Sequence, residues 1–235
     1  MIHKLGCRHP GDHAGDCDRS FDLLNPPAPL PDLLSIDQDH VDTIPPPDPE
    51  PVRSDWFITA TGRRAYILSP EATDICIEDI SAALSRICRF GGHTDARREG
   101  FYSVAQHSIH VSKLVPSRMA LQGLLHDATE AYLGDVIRPL KRVLGAVYSD
   151  LEDRWWSEIS RRFGVAYLMS PEIKRADLIA LRTERRDLVS PHAWAWVEEE
   201  QMAEVDPSPI VALGPYRARM AFMTRFEQLT GTGAE

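Results

Sequence analysis

Leu121-Gln122-Gly123-Leu124-Leu125-His126-Asp127-Ala128-Thr129-Glu130-Ala131 places a histidine and two carboxylates inside a run that otherwise reads as helical core. His126 and Glu130 are four apart and share one face of the expected helix, with Asp127 beside it. Leu121, Leu124, Leu125, Ala128 and Ala131 supply the apolar positions. Seating imidazole and carboxylates beside a core costs several kcal/mol unless each is paired or bound to a metal. Taken alone, the cluster is better read as a capped surface pair or a satisfied core histidine.

The same anomaly recurs on both sides. Ser103–Val115 opens with Ser103-Val104-Ala105-Gln106, which matches a capping box, and stops before Pro116. Its stripe of Val104, Val111 and Leu114 contains His107, with His110 one turn further on. Ser170-Pro171-Glu172 is an N-cap with proline at the first helical position, opening a helix to about Leu188. Its stripe of Ile173, Ala176, Ala180, Leu181 and Leu188 contains Asp177 and Glu184. Three helices that each bury ionisable groups are reconciled by one shared centre. A mixed nitrogen and oxygen ligand set suits Mn, Co, Fe or Zn more than Ca. Four protein ligands in a six-coordinate site leave two positions for water and a substrate oxygen.

The remaining elements are also helical. Ile77, Ile80, Leu84 and Ile87 predict a helix over 77–88, ended by Gly91-Gly92. The helix around His126 is expected over 118–133, with Gly134 as its stop. Leu151, Trp155, Ile159 and Phe163 step by four before Gly164, and a last helix carries Ala218, Phe222, Phe226 and Leu229. Trp155 and Trp156 read as core and interface. Trp56–Leu68 allows one short hairpin turning at Thr61-Gly62. The fold class is all-α, a helical bundle with at most that hairpin.

The chain has 235 residues and a net charge of -9, unevenly spread. Residues 1–55 hold 11 Asp/Glu against 4 Lys/Arg and 10 of the 18 prolines. Without a sustained apolar period, residues 21–55 are expected to be a Pro/Asp-rich, mostly disordered linker. The globular domain is expected over 56–235. No globally basic surface points to nucleic acid. No apolar run approaches the ~20 residues of a membrane helix, and Met1–Gly6 shows no secretory pattern. Few cysteines and no leader point to the cytoplasm.

The order His107, His126-Asp127, Asp177 resembles the H…HD…D pattern of the HD-domain phosphohydrolases. Arg89-Phe90-Gly91-Gly92-His93, Tyr102-Ser103-Val104-Ala105-Gln106-His107-Ser108 and Leu125-His126-Asp127-Ala128-Thr129-Glu130-Ala131 are similar to the subgroup of bacterial 5'-deoxynucleotidases. Phage-encoded HD proteins, including dATP triphosphohydrolases, are similar too. The resemblance covers residues 56–231. It implies that His107, His126, Asp127 and Asp177 hold one divalent ion (Mn2+, Co2+, Zn2+ or Mg2+). It further implies that Glu130 and Asp135 handle the attacking water and the leaving group. For Asp135, a helix N-cap just after Gly134 is an alternative compatible with that role. Arg89 and Lys141 would grip phosphate, with a solvated basic helix face as the rival reading of Lys141 and Arg142. Gly92 and His93 would shape the base or sugar pocket. The implied reaction is water attack at the α-phosphorus of a 2'-deoxynucleotide, either a monophosphate or a triphosphate. The implied assembly is a homo-oligomer.

Two other classes remain readable. One is a non-catalytic HD-fold module that senses nucleotides or binds nucleic acid. The other is a cyclic-nucleotide phosphodiesterase, which would usually bring ligands for a second ion. Cys7, His9, His13 and Cys17 form C-x-H-x3-H-x3-C within residues 1–20, four zinc-competent ligands in 11 residues that match no common finger. A tail that is merely rich in Cys and His is the alternative. Cys76 and Cys88 read as buried, inert thiols.

Overall fold

The computed structural model describes residues 54–95, 100–190 and 204–231. Cys7, His9, His13, Cys17 and nearly all of the Pro/Asp-rich stretch lie outside the described residues. The architecture is all-α with one small hairpin. In that hairpin, β1 (Trp56–Ile58) pairs antiparallel with β2 (Arg64–Tyr66), with Phe57 opposite Ala65. The turn closes by the Gly62 N–H donating to the Thr59 carbonyl.

Helix α1 (Ile77–Leu84) buries Ile77, Ile80 and Leu84. It stops before the expected Cys88 because a long-range pairing takes the chain over. Cys88 bridges Ser103, the Arg89 N–H donates to the Tyr102 carbonyl, and the Val104 N–H donates to the Ile87 carbonyl. That pairing anchors Arg89 at the mouth of α2 (Val104–Leu114). It also leaves Cys88 half-buried, unlike the buried Cys76. The Arg89–Gly92 turn that follows carries three successive positive φ angles, at Phe90, Gly91 and Gly92. For Phe90 this left-handed backbone is strained.

Ser103 caps α2 by accepting from the Gln106 N–H. The Gln106 side chain does not complete the box. It donates to the Val211 carbonyl and accepts from the Leu213 N–H, tying residues 211–213 against α2. The segment expected as one helix over 118–133 is broken into a turn at Ser117–Met119, then α3 (Ala120–Leu125) and α4 (Glu130–Leu133). Between α3 and α4 the backbone winds by i→i−3 bonds, from Ala128 to Leu125 and from Glu130 to Asp127. The tighter winding separates His126 from the α-helical face it was expected to share with Glu130.

Helix α5 (Arg138–Leu144) leads through Gly145 into α6 (Ala146–Phe163). Ile137, not Asp135, occupies the N-cap of α5. Trp155 and Trp156 of α6 are buried, and the Trp155 ring stacks on Tyr132 with centroids 4.0 Å apart. Ser170 caps α7 (Pro171–Leu188) as expected, and α8 (Pro215–Thr230) buries Ala218 and Phe222. One apolar cluster joins the hairpin, α1, α2, α3, α6 and α8. A second, of Val111, Val115, Ala120, Ile173, Ala176 and Ala180, seats α7 on α2 and α3. No described helix is long and apolar enough to cross a membrane.

Candidate metal centre

The polar residues on the inner faces converge. His107 comes from α2, His126 and Asp127 from the turn after α3, and Asp177 from α7. His107 Nε2 lies 3.3 Å from His126 Nε2, 3.4 Å from Asp127 Oδ2 and 3.2 Å from Asp177 Oδ1. His126 Nε2 is 3.3 Å from Asp127 Oδ2. His107, His126 and Asp127 offer donor atoms close enough to bind one ion. Donors at ~2.1 Å from a common ion stand about 3.0 Å apart in cis octahedral positions and about 3.4 Å apart in a tetrahedron. The observed spacings fall in that interval, so the residues fit a divalent cation.

The electrostatics agree. Burial alone would raise Asp127, but the charges of His126, His107 and Arg89 hold it far below the usual carboxylate range. Asp177 is likewise held to about 2 against its burial, by His107 and His126. Burial and Arg89 would lower His107, yet Glu184, Asp127 and Asp177 keep it well above the usual imidazole range. Both carboxylates are therefore held ionised beside the imidazoles, the charge state that suits a bound cation.

Glu130 is 4% exposed, and its Oε2 is buried without a hydrogen-bond partner. Burial, then Asp127 and Asp135, push its pKa well above the ordinary value. Asp135 is raised chiefly by burial and further by Asp127, against Arg89 and Lys141. Lys141 Nζ, part exposed, lies 3.8 Å from Glu130 Oε1 and hydrogen-bonds Glu152 at 2.7 Å. Arg89 reaches Asp127 at 3.8 Å and Glu184 at 3.5 Å, while its buried Nε has no partner. Arg89 and Gly92 line a cleft of about 190 Å³ with Cys88, Thr94, Gly100, Phe101 and Tyr102. His93 is exposed at the end of the Arg89–Gly92 turn and is not among those lining residues. His110 pairs with Asp206 at 2.8 Å, away from the donor cluster.

Three participants carry no role in the sequence reading. Arg138 NH2 holds Asp177 Oδ2 at 3.2 Å. Glu184, flagged only as a charge on an apolar stripe, is completely buried and contacts His107 Nδ1 at 2.5 Å. The Tyr102 hydroxyl donates to the same carboxylate at 2.9 Å. Those partners lie 77 and 82 residues away, beyond any local pattern.

Fold and site thus define an all-α protein with a partly buried His/Asp group able to hold a metal ion. No protein-family profile matches the chain. It is 41% identical over 172 residues to the uncharacterized protein YfdR of Escherichia coli, covering 73% of this chain and 94% of that protein. It is 35% identical over 198 residues to the uncharacterized protein RCAP_rcc00048 of Rhodobacter capsulatus, covering 74% of this chain and 95% of that one. The chain belongs to the family of these two proteins.

Proposed function

We propose that this protein is a divalent-metal-dependent phosphohydrolase of the HD-domain type, acting on 2'-deoxynucleotides by water attack at the α-phosphorus. One observation carries the reading. The His107, His126 and Asp127 donors stand 3.3–3.4 Å apart, Asp177 Oδ1 lies 3.2 Å from His107 Nε2, and Glu130 keeps a buried Oε2 without a hydrogen-bond partner. His107, His126, Asp127 and Asp177 would hold one ion, Mn2+, Co2+, Zn2+ or Mg2+. The ion would supply Lewis-acid polarisation and a more acidic water.

The chain's own groups do the rest. Glu130, whose Oε2 is buried without a hydrogen-bond partner, takes the proton of the attacking water there. Asp135 returns a proton to the departing 5'-oxygen. Arg89 presents its spare Nε–H to a phosphate oxygen, and Lys141 neutralises charge beside Glu130. Cleavage of the bond between the α-phosphorus and the 5'-oxygen releases the deoxynucleoside. The other product is phosphate from a monophosphate or tripolyphosphate from a triphosphate.

Product analysis over dNMPs and dNTPs, each with Mn2+, Co2+, Mg2+ and Zn2+, tests the reading. The expected result is metal-dependent release of deoxynucleoside from one substrate class, abolished in Asp177→Ala. Nucleotide binding without turnover under every metal would overturn it in favour of a sensing module.

A further inference from the structure

Glu184 takes no part in the chemistry above, yet it is a carboxylate with no exposure at all in the middle of α7. Its burial is costly unless it is paired. Three donors face it. Oε1 accepts from the Tyr102 hydroxyl at 2.9 Å and meets His107 Nδ1 at 2.5 Å, while Oε2 faces Arg89 NH2 at 3.5 Å. Each partner faces the site. His107 turns Nε2 to the donor cluster, and Arg89 and Tyr102 line the cleft.

We propose that Glu184 is the positioning residue that holds His107 and the cleft residues Arg89 and Tyr102 in mutual register, an inference that rests on the metal-centre reading above. By accepting from Nδ1–H, the carboxylate fixes the tautomer in which Nε2 carries the lone pair a metal needs. By holding one end of the Arg89 fork, it fixes where the remaining N–H donors, the unpartnered Nε–H among them, are offered to a substrate oxyanion. An apolar residue of similar size would fill the same space without either effect. One carboxylate therefore couples ion binding to substrate binding, through residues that arrive from α2, from the pairing beside it and from the Arg89–Gly92 turn.

The test is Glu184→Gln in the full chain, with Mn2+ titrated calorimetrically and KM measured on whichever deoxynucleotide the native protein hydrolyses. Gln cannot accept from Nδ1–H, Tyr102 and Arg89 together. Mn2+ affinity should fall roughly ten- to a hundredfold, and KM should rise in the same variant. A folded Glu184→Gln protein that melts lower but keeps native Mn2+ affinity and KM would overturn the proposal and leave a packing role. Failure of native protein to bind Mn2+, Co2+ or Zn2+ would instead overturn the metal-centre reading itself. If Glu184→Gln does not fold, nitrogen NMR of the Zn2+-loaded native protein decides, with the His107 signals assigned by their loss in His107→Gln. A protonated Nδ1 on His107 supports the positioning role, and a protonated Nε2 overturns it.

Discussion

His126 Nδ1 lies 2.9 Å from the carbonyl oxygen of Gly123, one turn back in α3. A carbonyl only accepts, so Nδ1 donates to it and Nε2 is the nitrogen turned toward Asp127 and His107. Gly123 also packs tightly against α2 and the residue that ends it. A Cβ there would stand 3.1 Å from Val115 Cγ2 and 3.4 Å from the Ser112 Cα. Gly123→Ala should therefore push the two helices apart, at an overpacking cost of about 1–3 kcal/mol. The same shift displaces His126 relative to His107. Thermal melts with and without Mn2+ check this: the variant should melt lower and gain less from the ion than native protein does.

Glu130→Gln separates chemistry from ion binding. Glu130 is not one of the converging donors, and its Oε2 is buried without a partner. The amide keeps the size but cannot take a proton. Metal content by elemental analysis should be unchanged, while kcat falls by ~10²–10⁴, the usual scale for a positioned acid or base. Loss of the metal would instead make Glu130 a ligand or the support of one.

Much of this arrangement is legible in the sequence, because helices advertise themselves through apolar stride and caps. Ser103 and Ser170 cap where their spacing says, and His107, His126, Asp127 and Asp177 interrupt the stripes that place them. What is missed has physical causes. Helix α5 buries none of its residues, so no stripe marks it. The early end of α1 follows from the Cys88–Ser103 bridge, a contact no local window contains. The break after Leu125 is a change of winding inside an unbroken apolar pattern. Glu184 is visible as an anomaly, but its partners lie far away in sequence.

Arg89→Lys tests the phosphate grip. Arg89 meets Asp127 and Glu184 with two different nitrogens and keeps Nε without a partner. Lysine preserves one charge but offers a single point donor where a planar fork is required. Charge-assisted hydrogen bonds contribute about 1.5–3 kcal/mol each, so KM should rise roughly ten- to a hundredfold. Mn2+ affinity should change far less, since Arg89 supplies no ligand. An unchanged KM would remove Arg89 from the substrate site.

Asp79 gives a pH dependence that is independent of the metal centre. It is buried near the N-terminus of α1 and fastens the hairpin to it, accepting from the Thr61 N–H at 2.7 Å, the Thr61 hydroxyl at 2.8 Å and the Cys76 thiol at 3.1 Å. Burial would raise its pKa, but these donors, Cys76 and Thr61 foremost, hold it below the ordinary carboxylate value. A carboxyl whose folded pKa lies below its unfolded value stabilises the fold fully above the unfolded pKa of about 3.9. That contribution disappears as pH falls through the folded pKa. Asp79→Ala strands the Thr61 donors and should destabilise by about 1–3 kcal/mol at neutral pH. Urea unfolding at pH 7 and again near pH 3 checks the sign. The gap between native protein and Asp79→Ala should be widest at pH 7 and narrow on acidification, and a gap that widens toward low pH would remove Asp79 from this role.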